Sequence, residues 1–385
     1  MSDQKKPLVI GVNATFNPFG GSKTHLLNII RYLKELRPFY SMVIFVRPRD
    51  VDLFKKADFY DDRIEIFVSK MAGLSTMARV LWEQTLLPFY SKRKKIDILF
   101  CPANISPILC PVKKVQWVAT IGPLSREIDK YWTPSQRFSL KVVKHLMVNS
   151  SKTSEVVIHQ SNYSRDLFLK NFNKKKENQK LIQAGKDNFF TKTYENTIDQ
   201  LPKNFILYVS HLYRYKNIIN LLKAFHLSKK NIGPTVKLII AGNIVDPDYF
   251  KSIQNKVSEL GLENDVIFLG EVDKEKLKQL YSFCQFLIFP SLCESSGYAL
   301  IEAMSCGAPI TCSNVTAIPD TCANSALYFS PDDVRQMADS ISSLSNNENL
   351  RKEFAEKSLK RAQELPDFKE VAHELALIFE ELHVQ

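Results

Sequence analysis

At 385 residues the chain is longer than one hydrophobic core usually supports, so two domains are expected. With 45% hydrophobic and 24% charged residues it falls outside the disordered and fibrous classes, and no apolar run reaches the ~18–20 residues that cross a bilayer. The net charge of +11 is unevenly spread: residues 1–190 hold 32 Lys/Arg and 16 Asp/Glu, residues 191–385 hold 20 and 25, so only the first half is basic and suits either an anionic partner or a plain solvated surface.

In chain order, MSDQKKPLVIGV passes from polar to strand-like without a charged-then-apolar leader, which makes the cytoplasm the expected compartment. LVIGV is the first strand. In NATFNPFGGSKTHLLNII the pair Gly20-Gly21 opens a helix running to about Leu36, with Asn13 and Lys23 as polar neighbours. MVIFV, RIEIFV, DILFC and VQWVAT continue the strands, and VVIH and KLIQ are weaker ones. The stretch PSQRFSLKVVKHLMVNSSK sets Arg137, Lys141 and Lys144 on one side of a helix and Leu140, Val143 and Met147 on another. With SKRKK at 91–95 and NKKK at 173–176, this basic helix suits peripheral contact with an anionic membrane or ordinary packing on a sheet.

The segment AGKDNFFTKTYENTIDQLPKNF lacks periodicity and places a boundary near residues 188–202. Beyond it FILYVS, VKLIIAG, VIFLG, QFLIF and PITCS repeat the rhythm, and the chain from about Asp332 is helical throughout. Its last stretch, FKEVAHELALIFEELHVQ, has no strand after it and must dock elsewhere. Short β-branched runs alternating with amphipathic stretches predict an α/β fold of two doubly wound parallel sheets.

Seven cysteines (Cys101, Cys110, Cys284, Cys293, Cys306, Cys312 and Cys322), odd in number and without a CxxC pair, read as reduced core thiols. No zinc-type spacing, helix-turn-helix or RNP-type aromatic pattern supports nucleic-acid binding. No GxGxxG follows a strand, which sets a dinucleotide oxidoreductase aside.

The chemistry-bearing stretch is PSLCESSGYALIEAMSCGAP, directly after QFLIF. A strand, a loop and a helix beginning near Gly297 set unpaired amides at the C-terminal edge of a parallel sheet, where an anionic phosphate binds. Glu294 and Glu302 would repel that phosphate, so their use is to accept hydrogen bonds from hydroxyls of a ribose and a sugar. The plain alternative is an exposed Glu302 and a Glu294 that complements the helix dipole.

Glu294 and Glu302, with seven residues between them in ESSGYALIEAMSCGAPITCSN, resemble the signature of family 4 of the retaining GT-B glycosyltransferases. The resemblance covers about residues 205–333, through FILYVSHLYRYKNIINLLKAFHLSKKNIGPTVKLIIAGN, VIFLGEVDKEKLKQLYSFCQFLIFPSL and IPDTCANSALYFSPDD. It implies an acceptor-binding Rossmann-like domain at 1–190, a donor-binding one at 191–365 facing it across a cleft, and a final helix at 366–385 crossing back to the first. The segment QAGKDNFF resembles the family's link between them.

For the site it implies that the Gly297 and Tyr298 amides touch the donor diphosphate, flanked by Ser296 and Ala299. Glu302 would hold the ribose, Glu294 the transferred sugar, and Lys216 of YRYKN would neutralise the leaving diphosphate. Gly20 and Gly21 would bring acceptor and donor phosphate together. Where the family carries an arginine five residues before that lysine this chain has His211, and Arg214 is the nearby substitute. Where the family carries a sugar-contacting histidine, the position falls on Ala119 or Gly122, neither of which has a side chain able to act.

The activity implied is metal-independent retaining transfer from a nucleotide-diphosphate sugar, without a cofactor, to a glycan or lipid-linked hydroxyl in surface polysaccharide synthesis. The alternative is a donor-binding pseudoenzyme or partner subunit. Asp246-Pro247-Asp248 is a DxD-like string, but no metal is expected there.

Overall fold

The computed structural model describes residues 8–16, 21–171, 178–195 and 201–384; Gly20 and the lysines at 174–176 lie outside them. The chain forms two compact units, one made of Met1–Leu124, Pro134–Gly185 and Pro366–Gln385, the other of Ser125–Thr133 and Lys186–Leu365.

In the first unit, β1 (Leu8–Asn13), β2 (Tyr40–Val46), β3 (Ile64–Val68), β4 (Ile98–Cys101), β5 (Lys113–Val118), β6 (Val156–His159) and β7 (Gln179–Leu181) pair in parallel. Their order is β3-β2-β1-β4-β5-β6-β7. Both faces of the central strands are covered by helices, which is why these strands read as unbroken apolar runs rather than alternating ones. The helices are α1 (Gly21–Leu36), α2 (Val51–Lys55), α3 (Thr76–Arg93), α4 (Pro134–Lys152) and α5 (Asn162–Lys170).

One core joins Ile10, Val12, Ile44, Phe100 and Trp117 of the sheet to Ile29, Ile30 and Leu33 of α1. Of α4 only Met147, Ser150 and Ser151 are buried; Leu140 and Val143 are half-covered.

The C-terminal helix α13 (Phe368–Val384) belongs to this unit and sinks Val371, Leu375 and Phe379 into the same core. Arg37 Nε holds Glu380 at 2.5 Å, Lys113 Nζ donates to the Leu382 carbonyl at 2.7 Å, and Lys369 pairs with Glu35 at 2.6 Å. Gly185 lets Phe368 approach: a Cβ there would lie 2.7 Å from its ring and 3.1 Å from its Cα.

The second unit has β8 (Phe205–Val209), β9 (Lys237–Ala241), β10 (Val266–Gly270), β11 (Phe286–Phe289), β12 (Ile310–Ser313) and β13 (Ala326–Phe329), all parallel, in the order β10-β9-β8-β11-β12-β13. Its helices are α6 (Ile218–Ser228), α7 (Pro247–Glu259), α8 (Lys274–Phe283), α9 (Tyr298–Ser305), α10 (Ile318–Cys322), α11 (Val334–Asn346) and α12 (Glu348–Glu364). The edge strand β13 is absent from the strands read in the sequence. Its four residues, ALYF, are buried only at their ends, so the long apolar run that marks the inner strands is missing.

All seven cysteines are free; six are buried and Cys110 is half-buried.

Candidate functional site

In the second sheet the order reverses between the neighbouring strands β8 and β11, and ligands of open parallel sheets bind beyond the C-terminal ends of such strands. Two loops leave that edge. After β8 the chain makes a 3-10 turn, Arg214–Lys216, then turns into α6 through Asn217 at φ 64°, a left-handed conformation that asparagine tolerates. The Asn217 amide fixes the turn by donating to the Pro331 carbonyl at 2.8 Å. After β11 the chain reaches Gly297, whose φ of 77° starts α9; a Cβ there would also lie 2.9 Å from Leu300 Cδ1. Backbone bonding joins the loops, the Leu292 amide donating to the Tyr215 carbonyl at 2.9 Å.

The loops bring Lys216 and Glu294 into a direct ion pair, with side chains only 10% and 12% exposed. Lys216 Nζ also lies 5.3 Å from the Tyr215 ring centre and 5.4 Å from that of Phe289. A cation and a carboxylate held this far from water need each other, because desolvation penalises either alone. The Glu294 amide donates to Thr316 Oγ1 at 3.1 Å, which holds the residue at the mouth of α9.

Glu302 lies on α9, where its Oε2 accepts from the Tyr281 hydroxyl at 3.0 Å. Burial pushes its carboxyl up to about 7, against the lowering effect of that bond and of Lys274. Burial likewise raises the Tyr281 phenol well above its usual value, and the neighbouring Glu302 adds to this.

His211 sits on the same loop as Lys216; its Nδ1 accepts from the Asn243 amide at 3.4 Å. Burial first, and then the Lys216 charge, lower its basicity. Arg214 donates from Nε to Asp246 at 2.9 Å, and its guanidinium lies 5.3 Å from the Tyr249 ring centre. Asp246 of the DxD-like string caps α7 as well, accepting from the Tyr249 amide at 2.9 Å. Ser296 is buried, its carbonyl accepting from the Thr321 hydroxyl; Tyr298 and Ala299 form the first turn of α9.

Gly21 opens α1 in the first unit, and Gly20 lies outside the described residues. Asn13 is buried, its amide donating to Glu83 at 3.3 Å, while Lys23 is exposed. Ala119 and Thr120 each donate a backbone N–H to Asn104 Oδ1, at 2.8 and 3.0 Å. Of the other histidines, His145 lies on α4 beside Asn149, and His159 is buried at the end of β6, 2.6 Å from Gln179.

Sequence reasoning missed three groups. Tyr281, the partner of Glu302, carries no local signal. Glu83, under Asn13 and Thr15, was visible as the single acid in an otherwise apolar and basic helix. The segment Ser125–Thr133 belongs to the second unit: Cys293 Sγ lies 3.6 Å from Ser125 Oγ, and Trp132 packs 5.4 Å from Tyr215, which stacks on Tyr213 at 5.4 Å.

Residues 190–361 match the family model described as Glycosyl transferases group 1. The two parallel-sheet units have the GT-B fold. It is shared, at a TM-score of 0.79 and 18% identity over 98% of this chain and 99% of the other, with sucrose-phosphate synthase from Thermosynechococcus elongatus. Anabaena Alr3699/HepE in complex with UDP-glucose aligns at a TM-score of 0.76 and 18% identity, over 97% of this chain and 100% of that one. In sequence, the chain is 25% identical to the O-antigen chain mannosyltransferase RfbU of Salmonella typhimurium, over 82% of this chain and 88% of that protein.

Proposed function

We propose that the protein is a retaining glycosyltransferase that moves a sugar from a nucleotide-diphosphate sugar to a hydroxyl of a glycan or lipid-linked acceptor in cell-surface polysaccharide synthesis. It works without a metal ion, in the cytoplasm, peripherally at an anionic membrane face. The observation that carries the reading is the Lys216–Glu294 pair at the mouth of α9, with Glu302 one turn further in. The similarity to RfbU supports the polysaccharide context and puts mannosyl donors first in any screen.

In the reaction the acceptor oxygen bonds to the anomeric carbon as the bond to the diphosphate oxygen breaks, and the electron pair leaves with the diphosphate. The acceptor proton goes to the departing phosphate oxygen. Lys216 takes up the growing charge. A cation ~4 Å away is worth about 4 kcal/mol at an effective dielectric near 20, against ~0.3–1 kcal/mol from a helix end. Glu294, released from Lys216, accepts from the sugar hydroxyls, and Glu302 from the ribose.

The second reading is a donor-binding protein without turnover, and it rests on Ala119 or Gly122 standing where the resemblance places a histidine. Incubation with UDP-, GDP- and ADP-sugars and an acceptor extract, with the product anomer read by NMR and with EDTA in a parallel arm, tests both. Transfer with retention that survives EDTA supports the first reading. Nucleotide binding without donor consumption supports the second.

A further inference from the structure

The helix α3 packs its inner face well: Trp82 and Leu87 are buried with Val43, Phe45 and Leu99. Its outer face is also apolar. Leu74 at its entry is 79% exposed, and Met77, Leu81 and Phe89 are 66%, 55% and 56% exposed. Met77, Leu81 and Phe89, at steps of four and eight residues, follow one exposed ridge of the helix, and Leu74 lies just before it. Leu109, 81% exposed, extends the stripe sideways. Its loop is tied to α3 by Gln84, which accepts from the Ile108 amide at 2.9 Å and donates to the Ser106 carbonyl at 3.2 Å.

Apart from Glu65, which pairs with Lys94, the charge around this stripe is positive. The single acid of α3 is Glu83, whose side chain is only 4% exposed and faces inward to Asn13 and Thr15. Residues 102–112 and α4 contain no acid at all. Thr153, just past α4, donates to the Ile108 carbonyl at 2.8 Å, so the C-terminal end of α4 borders the same loop. The stripe runs into Lys92, Arg93 and Lys95, all exposed and without an ion-pair partner among the described residues; Lys94 pairs with Glu65 at 2.5 Å.

We propose that the outer face of α3, with Leu109, is the surface by which the protein docks on an anionic lipid bilayer, the apolar stripe entering the headgroup boundary and the cationic end holding acidic headgroups. Exposed apolar patches of this kind mark interaction surfaces, and an apolar face with cations at its border matches an anionic membrane in both respects. A second copy docked face to face would set the cationic surface against itself. The inference rests on the peripheral-membrane part of the proposed function and is independent of catalysis. It also moves the contact from α4, where the sequence pattern put it, to α3.

Flotation of the full-length protein with phosphatidylcholine vesicles, with and without phosphatidylglycerol, tests it. Wild-type protein is expected to float with the anionic vesicles and not with the neutral ones. Leu81→Glu/Phe89→Glu should cut the bound fraction about tenfold or more, and Lys92→Ser/Arg93→Ser/Lys95→Ser should abolish the phosphatidylglycerol dependence. Both variants should keep the wild-type melting temperature and its shift by UDP or GDP, so lipid docking and nucleotide binding are read separately. The proposal is overturned if wild-type protein fails to float, if the glutamate variant floats like wild type, if only Arg137→Glu/Lys141→Glu/Lys144→Glu loses binding, or if the stripe variant instead dissociates a dimer.

Discussion

Lys216 and Glu294 neutralise each other at the mouth of α9, so under the proposed function a donor takes over both partners at once. On that reading the diphosphate replaces Glu294 at Lys216, and sugar hydroxyls replace Lys216 at Glu294. Lys216→Ala should lower turnover by about 10²–10³-fold, the scale on which removing one preorganised charge stabiliser acts. Tyr298→Ala should cost far less, because the role proposed for Tyr298 is carried by a backbone amide that the substitution keeps. Steady-state donor consumption by the two folded variants checks the ranking, and equal losses would refute it.

Glu302 makes a pH prediction. Its carboxyl is raised to about 7 by burial, so the folded protein holds a proton there that the unfolded chain releases at lower pH. The stability this contributes is present in acid and lost as pH rises through about 7. In the proposed role the ionised carboxylate accepts hydrogen bonds from ribose hydroxyls more strongly than the neutral acid, so nucleotide affinity should climb from pH 6 to 8. Isothermal titration of UDP and GDP onto wild type and Glu302→Gln separates this from the ionisation of the nucleotide itself, since only wild type has the carboxyl to titrate.

Among the elements, the loops after β8 and β9 depend on a close backbone approach. Gly242, at φ 145°, sits where a Cβ would be 1.9 Å from the Ser210 carbonyl oxygen. The Leu212 amide donates to the Asn243 carbonyl at 2.9 Å, so any shift at Gly242 moves the loop that carries His211 and Lys216. Gly242→Ala should therefore destabilise the protein by about 2 kcal/mol or more in urea unfolding and weaken nucleotide binding with it.

The inner strands were legible because burial on both faces leaves an uninterrupted apolar run, as in DILFC and FILYVS. β13 was not, because ALYF is short and only half-covered. The glycine turn at Gly297 was legible too, since only glycine reaches that backbone conformation cheaply after an apolar strand. The pairing of Lys216 with Glu294, 78 residues apart, and of Glu302 with Tyr281 was not, because nothing local encodes which buried charge meets which partner.

At the scale of the whole molecule, the last helix is what completes the first unit. α13 supplies Val371, Ala372, Leu375, Ala376, Ile378, Phe379 and Leu382 to a core whose other members lie more than 180 residues earlier in the chain. Ending the chain at Leu365 should strip hydrogen-exchange protection from β1, β2 and β4 while leaving β8, β9 and β11 protected. Equal loss in both sheets would show that the units unfold together. The basic first half was legible as a charge excess, but the sequence pattern singled out α4. The exposed apolar face of α3 emerges only once Trp82 and Leu87 are known to point inward.

The most direct test of the account is a crystal structure with a bound nucleotide-diphosphate sugar. The diphosphate is expected at the first amides of α9 with Lys216 Nζ on it, ribose hydroxyls on Glu302, and the sugar against Glu294. A donor bound away from α9, or a Lys216–Glu294 pair left intact beside it, would contradict the account.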